Sequence, residues 1–587
     1  MAFKVTQTSS WIERVEPREI ITMKMATVED TLSSPLLRSE HRMTDATEFP
    51  NEQAAQLKIL VPEEWKVASS TCHLQYDASQ QLIKIISDDF AGQVLDVIDP
   101  DDMIGASLSL EMGSNYSDTT PSPDQIPGRA SNEPSTNALV DRQGSAILNM
   151  YCYPRVDPSQ KSWMNWMGVT SYRPRRNPQY TRTSKHQKVP RVKQTRSFRL
   201  APSEDFQAAN QVLSALRHLA TPHTLPRNDG TPLKYLILIN PRSGPKRNGL
   251  EVCRKTVQPM LEQAGIDVHL CVTEYANHGK DRMTPQANSE EDITKYDGLI
   301  LMGGDGIIHE ALNGLMERSD FKTSIAPKLA VGVVGVGSCN GYSTSVTHAS
   351  MEVYGPLTET FLIAKGQTEL ADLSIYETSN TNRKYTSFLA FTYAMISDID
   401  IESEVIHWVG EPRNDIWGAL MVLLKRKYPA KVSYLPADKV ANTSQPVAMP
   451  ALTESLGGDW VTVDDDIILL WSSQTTHAAM HTHQSPNSKL NDGIFKLLLV
   501  RGKVSRLRMA MILLGLESGS HLGQPKVEEV DCCAIRVEPR EGARIGKNVI
   551  DGELVEAGPI QGHVVPSAIK VFYRPHIAQP ESTGALS

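Results

Sequence analysis

Four short apolar runs, at 236–239, 268–272, 299–302 and 329–334, recur at intervals of about 30 residues with a helix-length segment between each pair. Runs of this length without polar alternation read as strands buried on both faces. Their spacing requires right-handed crossovers, so this part of the chain is an α/β domain on a parallel sheet. Ligands on such sheets bind at the carboxyl ends of the strands, which makes the residues just after each run the ones that carry chemistry.

Two of those positions are rich in glycine. After the third run come Gly303, Gly304, Asp305 and Gly306, and then Ile308, Leu312, Leu315 and Met316 at the spacing of one helix face. Glycines around a single acid leave the backbone open to a bulky anion, and a helix start offers free N–H groups for phosphate. Asp305, held at the strand end, is placed to take a proton from an attacking hydroxyl. After the fourth run the chain reads Gly335, Val336, Gly337, Ser338, Cys339, Asn340 and Gly341, a second loop of the same kind. The first run leads into Asn240, Pro241 and Arg242 and the second into Thr273 to Asn277, polar groups suited to phosphate, base or ribose.

After about residue 366 the texture is strand-rich, with one helical excursion at 504–516, and predicts a sandwich-like second lobe with a cleft between the lobes. Residues 230–365 and 366–579 are the two lobes. Ahead of them, 61–225 reads as a β-rich domain ending in a helix at 203–219, an order like that of pleckstrin-homology domains. Residues 1–60 lack periodic apolar positions and are expected to be mostly disordered.

The net charge of −9 is unevenly spread. Residues 155–199 hold twelve Lys or Arg and one acid, leaving about −20 on the remainder. With Trp163, Trp166, Tyr172 and Tyr180 in it, that stretch suits either a solvated loop or an anionic membrane surface. The acidic total argues against nucleic acid as a partner. Seven cysteines in 587 residues make no disulfide framework. The first residues lack a secretory apolar core, and no apolar run approaches the ~18–20 residues of a membrane span. The expected location is cytoplasmic with peripheral membrane association, and a homodimer is an open expectation.

The segments NPRSGPKRNG at 240–249, VTEYANH at 272–278, GGDGIIHEALNGLMER at 303–318, SDIDIESE at 397–404 and DGE at 551–553 together resemble the catalytic domain of the diacylglycerol kinase and sphingosine kinase superfamily, most closely sphingosine kinases. The resemblance spans about 345 residues, from 233 to near 574. It implies ATP and magnesium as cofactors and a lipid alcohol as acceptor. By matching position, it implies that Asn240, Pro241, Arg242, Thr273, Asn277, Glu310, Gly337, Ser338, Arg413, Asp551, Gly552 and Glu553 serve the nucleotide, with Glu553 the magnesium candidate. Gly303, Gly304, Asp305 and Gly306 then lie at the reacting hydroxyl with Asp305 as base, and Asp400 pairs with the amino group of a sphingoid base.

A cationic amine entering an apolar site needs a counter-charge, whereas diacylglycerol and ceramide carry no such amine; Asp400 is therefore the substrate discriminator. Apolar candidates for the lipid tail are Phe391, Ile396, Ile399, Leu507, Met511 and Leu514, with His521 beside them. Cys339 stands where the family usually has glycine and costs about 1 kcal/mol if the position needs positive φ. His407 stands where sphingosine kinases often place an arginine, leaving Arg413 for the phosphate. Gly341, Tyr342 and Ser343 replace an alanine-rich continuation. The expected function is transfer of the ATP γ-phosphate to the primary hydroxyl of a sphingoid base; the alternatives are a ceramide or diacylglycerol kinase, or a catalytically weak lipid-binding scaffold.

Overall fold

The computed structural model describes residues 3–6, 21–25, 55–59, 72–77, 81–87, 94–111, 145–155, 190–200, 206–243, 248–286, 291–379, 381, 383–409 and 413–575. The chain divides into two compact units, with the boundary at about residue 225.

The first unit is built on a nine-stranded antiparallel sheet. One path leads from the strand Val94–Ile98 through those at 82–87, 72–77, 55–59, 21–25, 3–6, 194–200 and 145–152 to Met103–Glu111. The helix α1 (Phe206–Ala220) packs on the strand Met103–Glu111, burying Val212, Leu216 and Ala220 and donating from Arg217 Nε to the Ala106 carbonyl at 3.2 Å. Within residues 1–60 the described strands are Phe3–Thr6, Ile21–Met25 and Ala55–Ile59; the first pairs with Gln194–Leu200 and the second with the third. Nine strands on one open path do not support the pleckstrin-homology order. The Ser/Pro-rich stretch at 113–137 and most of the basic run, 156–189, lie outside the described residues.

In the second unit the strands β1 (Lys234–Ile239), β2 (Asp267–Val272), β3 (Gly298–Gly303) and β4 (Ala330–Gly335) pair in parallel in the order β2-β1-β3-β4. β3 and β4 are buried along their whole length, as continuous apolar runs demand. The strand order reverses between β1 and β3, which places the topological switch point between the loops at 240–242 and 303–306.

The second lobe adds β5 (Thr368–Thr378), β6 (Lys384–Ser387), β7 (Ala390–Ala394), β8 (Tyr428–Pro436), β9 (Val461–Ser473), β10 (Phe495–Arg501), β11 (Glu528–Pro539), β12 (Asn548–Ile550), β13 (Glu553–Val555) and β14 (Ile560–Phe572). β14 pairs in parallel with β4, Ala330 opposite Lys570, and antiparallel with β5 and β11. Both lobes therefore share one sheet, and one core runs from Leu236 and Leu301 to Trp471 and Met509. A second core, with Tyr376, Phe391, Tyr428 and Phe495, fills the β-rich side.

This lobe is less purely β than expected. Besides the helix at Arg506–Gly515 it contains Met395–Glu402 and Arg413–Leu424. Among the described residues, no helix is long and apolar enough to cross a membrane.

Candidate active site

The two glycine-rich loops are pressed together backbone to backbone. A Cβ on Gly337 would lie 2.4 Å from the Gly304 Cα, so neither position tolerates a side chain. The Gly303 carbonyl accepts from the N–H groups of Val336 and Gly337 at 3.0 and 3.1 Å, and the Asp305 N–H donates to the Cys339 carbonyl at 3.1 Å. Asn340 closes the second loop on itself, accepting from the Gly337 N–H at 3.0 Å and donating to the Gly337 carbonyl at 2.8 Å.

Asp305 is the first residue of α2 (Asp305–Met316), and its carboxyl is buried. It accepts the N–H groups of Gly341 at 2.8 Å and Tyr342 at 3.2 Å, the opening of α3 (Gly341–Ala349). Burial pushes its pKa up to about 7; the two amides pull the other way, and the carboxylate of Asp551 adds to the rise. The group is thus poised near neutrality at the joint of both loops, as a general base requires. The N–H groups of Gly341 and Tyr342 that open α3 are occupied by Asp305.

Cys339 is not among the non-glycine residues with positive φ, so its replacement of glycine carries no backbone strain. It reaches solvent on one side. The protein around its sulfur nevertheless raises the thiol, with Asp305 and then Asp400 adding and Arg413 opposing, so these groups face one region.

The acidic run at 397–404 is sorted by a helix. In α5 (Met395–Glu402), Asp398 and Glu402 are one turn apart and share their partners. Arg426 Nη1 reaches Asp398 at 2.9 Å and Glu402 at 2.7 Å, and Lys547 Nζ reaches them at 2.7 and 2.6 Å. Tyr428 also donates to Asp398. Although burial pushes Glu402 up, these two cations hold it below the usual carboxylate range. Asp400 lies between them in sequence and apart from them in space. Its carboxyl is pushed up to about 7 by burial, with Arg413 opposing. Arg413 itself pairs with Glu404 at 2.7 Å, a partner that sequence reasoning missed when it left this arginine free for phosphate.

The nucleotide candidates separate into exposed and bracing groups. Arg242 and Ser338 are exposed at their loops. Asn240 accepts the Arg242 N–H at 3.0 Å, which fixes the turn after β1, and Gly244 to Arg247 lie outside the described residues. Thr273 is buried, with its N–H on the Ile239 carbonyl at 2.8 Å. Glu310 accepts the N–H groups of Asn277 at 3.0 Å and Gly279 at 2.9 Å, so it braces the turn in which Asn277 takes φ of +66°.

Asp551 is engaged by the protein itself. Its side chain is fully buried and accepts from Ser387 Oγ at 2.6 Å and from the N–H groups of Leu389, Ala390 and Phe388 at 3.0, 3.1 and 3.3 Å, while His309 Nδ1 lies at 3.2 Å. These partners hold the bend between β6 and β7. Gly552, at φ of +87°, turns the chain so that Glu553 is exposed, and a Cβ on Gly306 would lie 3.7 Å from Glu553 Oε1. DGE and GGDG therefore meet through Glu553.

The tail candidates also divide. Phe391, Ile396 and Ile399 are buried core residues. Leu507 and Leu514 on the helix α7 (Arg506–Gly515) are 74% and 80% exposed, and Val405, Trp408, Ile416 and Leu423 are exposed on the neighbouring stretch that includes α6 (Arg413–Leu424). His521 is removed from the list. It is wholly buried, with its ring nitrogens 3.3 and 2.9 Å from the carbonyls of Gly515 and Gln484, so it ties the end of α7 to a loop.

Comparison with known proteins places both lobes. Residues 234–374 match the diacylglycerol kinase catalytic domain, and residues 467–573 match the YegS C-terminal NAD kinase beta sandwich-like domain. Sphingosine kinase 1 of Homo sapiens is 30% identical over 357 residues, covering 57% of this chain and 90% of that protein. Sphingosine kinase 1 of Arabidopsis thaliana is 28% identical over 347 residues, 56% of this chain and 69% of the relative. Sphingoid long chain base kinase 5 of Saccharomyces cerevisiae is 24% identical over 417 residues, 58% and 59% of the two chains.

Proposed function

The chain belongs to the sphingosine kinase family of ATP-dependent lipid kinases, and from that premise we propose that its acceptor is the primary hydroxyl of a sphingoid base, activated by Asp305. The observation that carries the substrate is Asp400. Asp398 and Glu402 have Arg426 and Lys547 as partners, whereas Asp400 is set apart from them, half-buried, on the same side as Asp305 and Cys339, with Arg413, itself paired with Glu404, as the cation that faces it. A desolvated acid near the reacting group suits a lipid that brings its own cation and disfavours one that does not.

In this mechanism Asp305 removes the hydroxyl proton as the oxygen attacks the γ-phosphate, and its elevated pKa keeps proton transfer close to balanced at neutral pH. Gly341 and Tyr342 hold the carboxylate in place through their N–H groups. Positioning does most of the work in phosphoryl transfer, and the close-packed Gly304 and Gly337 backbones give the phosphates a surface without side chains. Arg242 and Ser338 are the exposed groups that meet the nucleotide.

Among the described residues, no group of three or more His, Cys, Asp or Glu side chains is arranged to hold a metal. Magnesium is commonly bound by one or two carboxylates together with substrate phosphates. Glu553, exposed beside Gly306, would hold it, and the ion would neutralise phosphate charge.

Peripheral contact with an anionic membrane belongs to the same reading, supported by the exposed Trp408, Leu423, Leu507 and Leu514 and by the basic run. Binding to phosphatidylserine vesicles should weaken with salt, and binding indifferent to both salt and lipid charge would remove the basic run from it.

The test of the substrate is Asp400→Ala. Its kcat/KM for sphingosine should fall by about a hundredfold or more while KM for ATP changes little. An unchanged rate with sphingosine would reject a sphingoid base as the substrate recognised here.

A further inference from the structure

Glu359 lies behind the fourth loop, outside the site described so far. It sits in the first turn of α4 (Pro356–Lys365), 2% exposed, and its carboxyl faces the loop. Oε2 accepts the Gly335 N–H at 2.9 Å and Oε1 pairs with the Ser343 hydroxyl. Tyr354 donates its hydroxyl to the Gly335 carbonyl at 3.1 Å. Both polar groups of Gly335 are thus held from the rear, and Ser343 ties the first turn of α3 to the same carboxyl. Asp305 grips that turn from the front through Gly341 and Tyr342. Ser343 is also one of the three positions where the chain departs from an alanine-rich pattern, and Glu359 is its partner.

We propose that Glu359 is a positioning residue for ATP: through the Gly335 amide and the Ser343 hydroxyl it sets the backbone from 335 to 343 in the shape that receives the phosphates, an inference that rests on this loop being the nucleotide loop.

Burial favours the neutral acid, while the hydrogen bonds of the brace itself favour the carboxylate. Burial pushes the Glu359 carboxyl up to about 8, against the lowering effect of Ser343 and the amides of Gly335 and Gly355. Tyr354, the described titratable group beside it, is raised by burial and then by Glu359 and Asp305. The stretch Cys253–Val257, packed against α4, buries the Cys253 thiol and turns Arg254 and Lys255 to solvent. On α3, His348 lies against the rings of His477 and His483. A neutral carboxyl adds no negative charge behind the phosphates, whereas its ionised form does, so nucleotide affinity should fall as pH rises through the pKa of Glu359. Glutamine is the neutral isostere: its oxygen accepts the Gly335 N–H, and its NH2 donates to Ser343, whose hydroxyl, the donor to Glu359, turns to accept.

The test measures kcat and both KM values for the full chain, as wild type, Glu359→Gln and Glu359→Leu, from about pH 7 to about pH 9. In the wild type KM for ATP should climb about fivefold across this range, and in Glu359→Gln it should stay flat with kcat largely retained. Glu359→Leu should raise KM for ATP about tenfold at pH 7 and leave the lipid KM unchanged. Parallel pH profiles for the wild type and Glu359→Gln overturn the proposal, and they decide it alone if the leucine variant does not fold. Ser338→Asp, which puts an anion on the exposed loop, separates the two readings. If it raises KM for ATP and the Glu359 variants do not, the brace is wrong. If it also leaves KM for ATP unmoved, the nucleotide reading fails first and the proposal with it.

Discussion

At the scale of residues, the chemistry rests on carboxyl groups distinguished by their surroundings. Asp305, Asp400, Asp551 and Glu553 all carry the same side-chain chemistry, but burial raises the first two, five neighbours engage the third and solvent meets the fourth. Replacing Asp305 with Asn removes the base while keeping one oxygen for the α3 amides. Turnover should drop by about a thousandfold with KM for ATP within about threefold of wild type. A rate near wild type in steady-state assays would exclude Asp305 as the base. Sequence reasoning found Asp305 because glycines surround it. It could not find the engagement of Asp551, whose partners Ser387 and His309 lie far away in the chain.

At the scale of elements, α5 decides which acid is left for a ligand. The run at 397–404 looks like one acidic patch in sequence, yet Met395, Ile396, Ile399 and Ser403 are buried at helical spacing, and that period was the available signal. It was obscured by the preceding strand residues, which continue the apolar run without a break. Arg426 and Lys547 could not be assigned to Asp398 and Glu402 because they come from separate elements.

Burial of these carboxyls also has a cost in pH dependence. The carboxyls of Asp305 and Asp400, near 7, and Glu359, near 8, have folded pKa values above their unfolded ones. Their contribution to stability is complete below about pH 4 and is lost as pH rises through 7 and 8. Without ligand, the melting temperature of the catalytic unit should therefore fall by about 3 °C between pH 6 and pH 8, and less in Asp305→Asn. Scanning calorimetry that shows a flat or rising midpoint over this interval would contradict the burial of these groups.

At the scale of the molecule, the α/β lobe was legible because β1, β3 and β4 are buried and read as continuous apolar runs, each followed by its loop, while β2 is an edge strand that exposes His269 and Leu270. The β-rich lobe was legible as strands but not as part of the same sheet. The parallel pairing of β4 with β14 joins residues some 240 positions apart, and nothing local encodes it. The departures at 339 and 341–343 acquire reasons only in three dimensions: Cys339 needs no special φ, Gly341 lies against the Ala478 carbonyl, and Ser343 reaches Glu359.

The central claim is that this family member phosphorylates a lipid carrying an amine. The most direct measurement is transfer of labelled γ-phosphate from ATP by the purified full chain to sphingosine, ceramide and diacylglycerol side by side. Product from sphingosine, with the other two slower by about a hundredfold, is the predicted result. Faster phosphorylation of ceramide or diacylglycerol, or no product from any of the three, would contradict it.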